Sequence, residues 1–139
     1  MVGEFVGKVM NRATFADTLR KGYANAQRLT DTDVDEYWLP LSKPANRKAM
    51  WELQRNLDFS LTEDGLDDVR AATLVLWGDQ DVFDNPWQAT ELGQRLPDAT
   101  VRVLPGCGHN VHEDCPDRAT AELSAFLAQP PPGDGHDPS

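Results

Sequence analysis

The sequence predicts an α/β fold: two parallel strands with flanking helices, preceded by a purely helical segment. Three observations carry that prediction. Residues 1–70 place apolar side chains at helical spacing. Residues 71–128 read strand, helix, strand, helix. Thr73 to Trp77 (TLVLW) is a continuous apolar run, as expected of a parallel strand covered by helices on both faces.

In the helical segment, Phe15, Leu19, Tyr23 and Ala26 recur at roughly helical spacing, with Thr14 as the expected N-cap. Thr32 followed by Asp33, Asp35 and Glu36 puts a cap and acidic groups in the first turn of a short helix that Pro40 is expected to end. Pro44 suits the first position of a third helix, whose face carries Asn46, Met50, Leu53 and Leu57. After the TLVLW strand, Asn85 and Pro86 open a helix with Ala89, Leu92 and Leu96 on one side, closed by Pro97. Thr100 to Leu104 (TVRVL) is the second strand, and Pro116 opens a last helix with Ala119, Leu123, Phe126 and Leu127 facing inward. This order is a βαβ unit with a right-handed crossover and one further covering helix. Trp38, Trp51, Trp77 and Trp87 are expected in the packing between elements rather than as substrate clamps.

A chain of 139 residues suffices for one domain. Its net charge of -10 would repel phosphate backbones and anionic lipid headgroups, which argues against nucleic-acid and membrane partners. Met1 to Met10 (MVGEFVGKVM) is interrupted by Glu4, Lys8 and two glycines, so it lacks the continuous apolar region of a signal peptide, and a cytoplasmic location is the default expectation. Residues 129–139, QPPPGDGHDPS, cannot bury enough apolar area to offset their ordering entropy and are expected to be a disordered tail. The two cysteines, Cys107 and Cys115, are spaced so that a bridge is permitted but not required.

Chemistry concentrates in two loops. Ligands gather at the carboxyl ends of parallel strands, and there the chain carries Gly78 to Pro86 (GDQDVFDNP) and Pro105 to Glu113 (PGCGHNVHE). Adjacent parallel strands bring an aspartate of the first loop and a histidine of the second to one sheet edge, the arrangement in which a carboxylate fixes an imidazole's tautomer. The alternative for the first loop is an aspartate-rich turn formed for backbone reasons alone; for His109, a partly buried histidine satisfied locally. Cys107, His109, His112 and Cys115 are all zinc-ligand types, but C-x-H-x2-H-x2-C matches no common zinc spacing, and no cofactor or metal is expected.

At these loops the chain resembles the C-terminal part of the α/β-hydrolase family. Leu74 to Asp81 (LVLWGDQD) matches the G-x-x-D turn after that family's penultimate strand, Leu104 to His109 (LPGCGH) matches its glycine-rich histidine segment, and the Pro116 helix resembles its last helix. The resemblance implies a partial α/β-hydrolase fold, divided into a helical cap segment at 1–70, a βαβα part of the core at 71–128 and the tail. It makes Asp81, in preference to Asp79 and Asp84, the carboxylate partner and His109 the general base; His112 is itself expected to be a surface or supporting residue rather than a second base. Ala72 stands where the resembling proteins usually have proline.

The family's G-x-S-x-G nucleophile elbow occurs nowhere in the sequence: Ser42, Ser60, Ser124 and Ser139 lack the flanking glycines. The chain is therefore expected to be the C-terminal portion of a hydrolase of esters, epoxides or related small molecules, inactive alone because the nucleophile and oxyanion hole are missing. The alternative is a non-catalytic interaction module that pairs through its exposed sheet edge. The expected partners are a small-molecule substrate in the complete enzyme and a second copy or a complementing N-terminal chain.

Overall fold

The computed structural model describes residues 10–129, so the readings of the N-terminal ten residues and of the tail fall almost wholly outside the described residues. Helix α1 spans Arg12–Lys21 and is capped by Asn11, not Thr14. The Asn11 carbonyl already accepts from Phe15 N–H at 2.9 Å, which makes Asn11 the boundary, while Thr14 takes the third helical position and completes a reciprocal capping box. Helix α2 spans Asp31–Leu41 and repeats the device with Thr30 and Asp33, two residues ahead of the expected Thr32 cap. Pro40 lies inside this helix rather than ending it. A proline there withholds an N–H only from the carbonyl one turn back, and the helix stops one residue later. Ala16, Tyr23, Leu29 and Val34 form the small core shared by α1, α2 and the turn between them.

Helix α3, Pro44–Asn56, starts on its proline as expected but buries none of its residues; Leu53 and Leu57 are exposed. A short helix, α4 (Ser60–Gly65), and a 3-10 turn at Leu66–Asp68 lead into the sheet. Neither has a periodic apolar face long enough to be read in advance.

Strands β1 (Thr73–Gly78) and β2 (Ala99–Leu104) pair in parallel, from Thr73 opposite Ala99 to Gly78 opposite Leu104, with helix α5 (Trp87–Arg95) between them. A four-residue helix α6 (Val111–Asp114) and helix α7 (Pro116–Leu127) follow. The period-two alternation of β1 separates two cores. Val75 and Trp77 pack with Ala89 and Leu96 on the α5 side, while Leu76 packs with Leu104, Cys107 and Ala119 on the α7 side. Of the four inward positions expected on α7, Ala119 is buried whereas Leu123 and Leu127 are exposed, because a sheet of two described strands is too narrow to cover the helix. Trp87, also expected in the packing, is exposed. Among the described residues no helix is long and apolar enough to cross a membrane.

Candidate active site

The loops that leave β1 and β2 are stitched together by backbone contacts. Gly78 ends β1 so close to the second loop that a Cβ would stand 2.2 Å from the carbonyl oxygens of Cys107 and Gly108, so only glycine fits. Gln80 N–H donates to the Cys107 carbonyl at 2.9 Å, and Gly106 N–H donates to Asp79 Oδ1 at 2.6 Å. Gly106 adopts φ of 69°, the left-handed turn that lets the chain double back after Leu104.

This stitching brings Asp81 and His109 together. Asp81 Oδ1 accepts from Phe83 N–H at 2.9 Å and Asp84 N–H at 3.0 Å, which folds the aspartate-rich turn and aims Oδ2 at His109 Nδ1, 2.9 Å away. The turn and the pairing with histidine are therefore one structure, not alternatives. The Asp81 side chain is 3% exposed and that of His109 40%. Asp84 Oδ2 lies 3.6 Å from the same Nδ1 but is half exposed, and Asp79 is occupied by Gly106. The Phe83 ring meets the imidazole edge-on at 5.4 Å. Burial pushes the Asp81 carboxyl upward, but Asp84 N–H, His109 and Phe83 N–H outweigh it and hold the group below its ordinary value of 3.8. In a neutral imidazole whose Nδ1–H donates to Asp81, Nε2 is left as a proton acceptor facing away from the carboxylate.

The second loop is braced by residues that the two sequence motifs do not single out. Asp114, 2% exposed, accepts backbone N–H groups from Gly108 at 2.7 Å, Ala24 at 2.8 Å and Asn25 at 3.1 Å. Its neighbour Glu113 accepts from the phenols of Tyr23 and Tyr37, on the helical segment. Burial and the bond to Glu113 raise Tyr23, and the bond to Glu113 and burial raise Tyr37, both above the usual tyrosine value. A cleft of about 630 Å³ opens beside this cluster, lined by Tyr23, Leu29, Tyr37 and Glu113 among others. These partners lie up to 90 residues away along the chain, and only the placement of two acids just ahead of Pro116 hinted at them. His112 is on the surface, 3.7 Å from Glu113 Oε1.

Cys107 and Cys115 are joined in a disulfide, with Cα atoms 5.9 Å apart. Neither sulfur is then a thiolate, which removes the four-ligand zinc reading of C-x-H-x2-H-x2-C. Ligand atoms of Asp81, Asp84 and His109 do lie within 4.8 Å of one another. A cation held there through Nδ1 would displace the hydrogen bond to Asp81, so the arrangement suits a proton acceptor better than a metal.

The sequence matches the alpha/beta hydrolase family over residues 4–123. Its fold is similar to that of the Cif epoxide hydrolase from Acinetobacter nosocomialis (TM-score 0.70, 23% identity, 82% of this chain and 38% of that one). It is also similar to a bacterial membrane phospholipase A (TM-score 0.69, 24% identity, 86% and 38%). A third similar structure is a serine hydrolase from Cycloclasticus zankles (TM-score 0.68, 18% identity, 90% and 47%). The chain spans less than half the length of each of these structures. Two parallel strands with flanking helices, an aspartate and a histidine at adjoining strand ends, and a match over most of the sequence lead to one conclusion: this chain belongs to the α/β-hydrolase family.

Proposed function

We propose that Asp81 and His109 are the acid and base of a hydrolytic site whose nucleophile and oxyanion donors come from residues other than these 139. The observation that carries the reading is the 2.9 Å contact between His109 Nδ1 and a carboxylate that is almost fully buried and doubly held by backbone N–H groups. His109 Nε2 takes a proton from the nucleophile or the attacking water, and Asp81 stabilises the imidazolium that results. The helical segment of residues 1–70 serves as the cap, and the substrate is a small ester, epoxide or related molecule, in keeping with what the similar structures are named for. On its own the chain has no turnover, because it contains no G-x-S-x-G elbow to supply the attacking group.

The test begins with the DNA upstream of the first codon. If an in-frame or frameshifted G-x-S-x-G segment lies there, the joined polypeptide is expected to hydrolyse an activated acyl ester or an epoxide, and His109→Ala to lower kcat by about 10⁶-fold. Activity indifferent to His109→Ala would refute the assignment. The 139-residue chain is expected to be inert toward the same substrates, and turnover by it that His109→Ala abolishes would refute the need for an outside nucleophile.

A second reading has its own observation. The described sheet has two strands, so each leaves one edge of backbone N–H and C=O groups unpaired. The chain would then serve as an interaction module, with the sheet edge adding to that of another chain.

A further inference from the structure

Asp114 is a buried charged residue, 2% exposed, that nothing in the acid–base chemistry above uses. Its carboxylate lies where two distant segments meet. Oδ2 accepts from Gly108 N–H on one side and Ala24 N–H on the other, and Oδ1 accepts from Asn25 N–H. Gly108 immediately precedes His109. On the far side of His109, Asn110 N–H donates to the Gly22 carbonyl at 3.2 Å. The residues on either side of the histidine, Gly108 and Asn110, are therefore both tied through their N–H groups, by way of Asp114 or directly, to the turn at residues 22–25 that follows α1.

Gly108 shows how closely the two segments are pressed. A Cβ on it would stand 2.4 Å from the Gly22 oxygen and 2.8 Å from the Ala24 nitrogen. A buried carboxylate that satisfies three backbone N–H groups is hard to replace, since each N–H it releases is left unsatisfied or must find water. The histidine loop thus rests on the helical segment as well as on the sheet.

We infer that Asp114 is a positioning residue for His109, holding the imidazole at Asp81 by locking the histidine loop onto the 22–25 turn. The inference rests on the acid–base reading for its functional meaning, but its test does not depend on turnover. In the full 139-residue chain, the imidazole Nδ1–H shared with Asp81 is expected to give a low-field proton resonance, assigned by its loss in His109→Ala. Asp114→Asn keeps the side-chain shape but replaces one acceptor oxygen with an NH2 group, so at least one of the three N–H donors loses its partner. Asp114→Asn is expected to retain the far-ultraviolet circular dichroism of the unsubstituted chain while the low-field resonance is lost. A folded Asp114→Asn with that resonance unchanged would overturn the inference, whatever becomes of the hydrolase reading. Should Asp114→Asn not fold, Gly108→Ala tests the same junction from the loop side, keeping the carboxylate while its Cβ prises Gly22 and Ala24 away from the loop; there too, an unchanged resonance overturns the proposal and its loss supports it.

Discussion

Three aspartates share the loop after β1, and their different commitments separate their expected roles. Asp79 is used in closing the loop and Asp84 is half exposed, 3.6 Å from the imidazole, whereas Asp81 is buried with both oxygens engaged. Replacing a buried carboxylate that orients an imidazole leaves the wrong tautomer in place, and in a related constellation this lowers kcat by about 10⁴-fold. Asp81→Asn is accordingly expected to lower kcat of a polypeptide that carries the nucleophile by about 10⁴-fold. Asp84→Asn removes only an exposed charge, worth no more than about 1 kcal/mol, and should change kcat less than about fivefold. Steady-state rates of the two variants decide between them, and equal losses would mean that the acid is shared. Asp81 and His109 were legible in advance because parallel pairing puts residues just beyond two strand ends side by side, a relation that the strand assignments alone imply.

The docking of α2 and of the turn after α1 onto α6 was not legible in that way. Tyr23 appeared only as one position on an apolar stripe, and Glu113 as a polar residue ahead of Pro116; their pairing across 90 residues depends on the tertiary fold. The same holds for the caps, where local signals located the helices but Asn11 and Thr30, not Thr14 and Thr32, satisfy the first turns. The tyrosine cluster has a direct readout, since Tyr23 and Tyr37 are the only tyrosines in the chain. The folded state raises both phenols, so the stabilisation they contribute is fully present below the ordinary value of 10.0 and is lost as pH rises through the folded-state values. Phenolate absorbance should therefore appear only above that ordinary value. Glu113→Gln is expected to bring Tyr37, raised chiefly by its bond to Glu113, back toward 10, while Tyr23, raised chiefly by burial, stays high. Two phenols titrating together near 10 in the unsubstituted chain would show that the cluster does not form. The disulfide braces the same region, closing a short loop around His109. For a loop of this size its removal is expected to cost about 2.5 kcal/mol, read as a lower urea midpoint after reduction. Such bridges persist mainly in oxidising compartments, which sets this feature against the default cytoplasmic expectation from composition.

At the scale of the whole molecule, the described residues form three small cores around a sheet of two strands. Both strands are legible in the sequence because each is a short run rich in β-branched and apolar residues bounded by turn residues. Periodicity reports that a face is apolar, not that anything covers it: Leu53 and Leu57 on the stripe of α3 and Leu123 and Leu127 on that of α7 are all exposed. Unpaired strand edges and exposed apolar side chains favour association, while a net charge of -10 opposes it. The two effects differ in their response to salt. Repulsion between net charges is screened beyond a Debye length of about 10 Å at 0.1 M salt, whereas strand pairing and apolar contact are not weakened by it. Sedimentation velocity at micromolar concentration should therefore show a larger mass at high salt than at low salt. Val103, exposed on β2, offers a site to block the pairing, because a lysine at a strand edge opposes addition of another strand. Val103→Lys is expected to keep the chain monomeric at high salt without loss of helix or strand signal. If association is equal in both proteins, the sheet edge is not the contact; if neither associates at any salt concentration, the edges are protected in solution and the interaction-module reading fails with them.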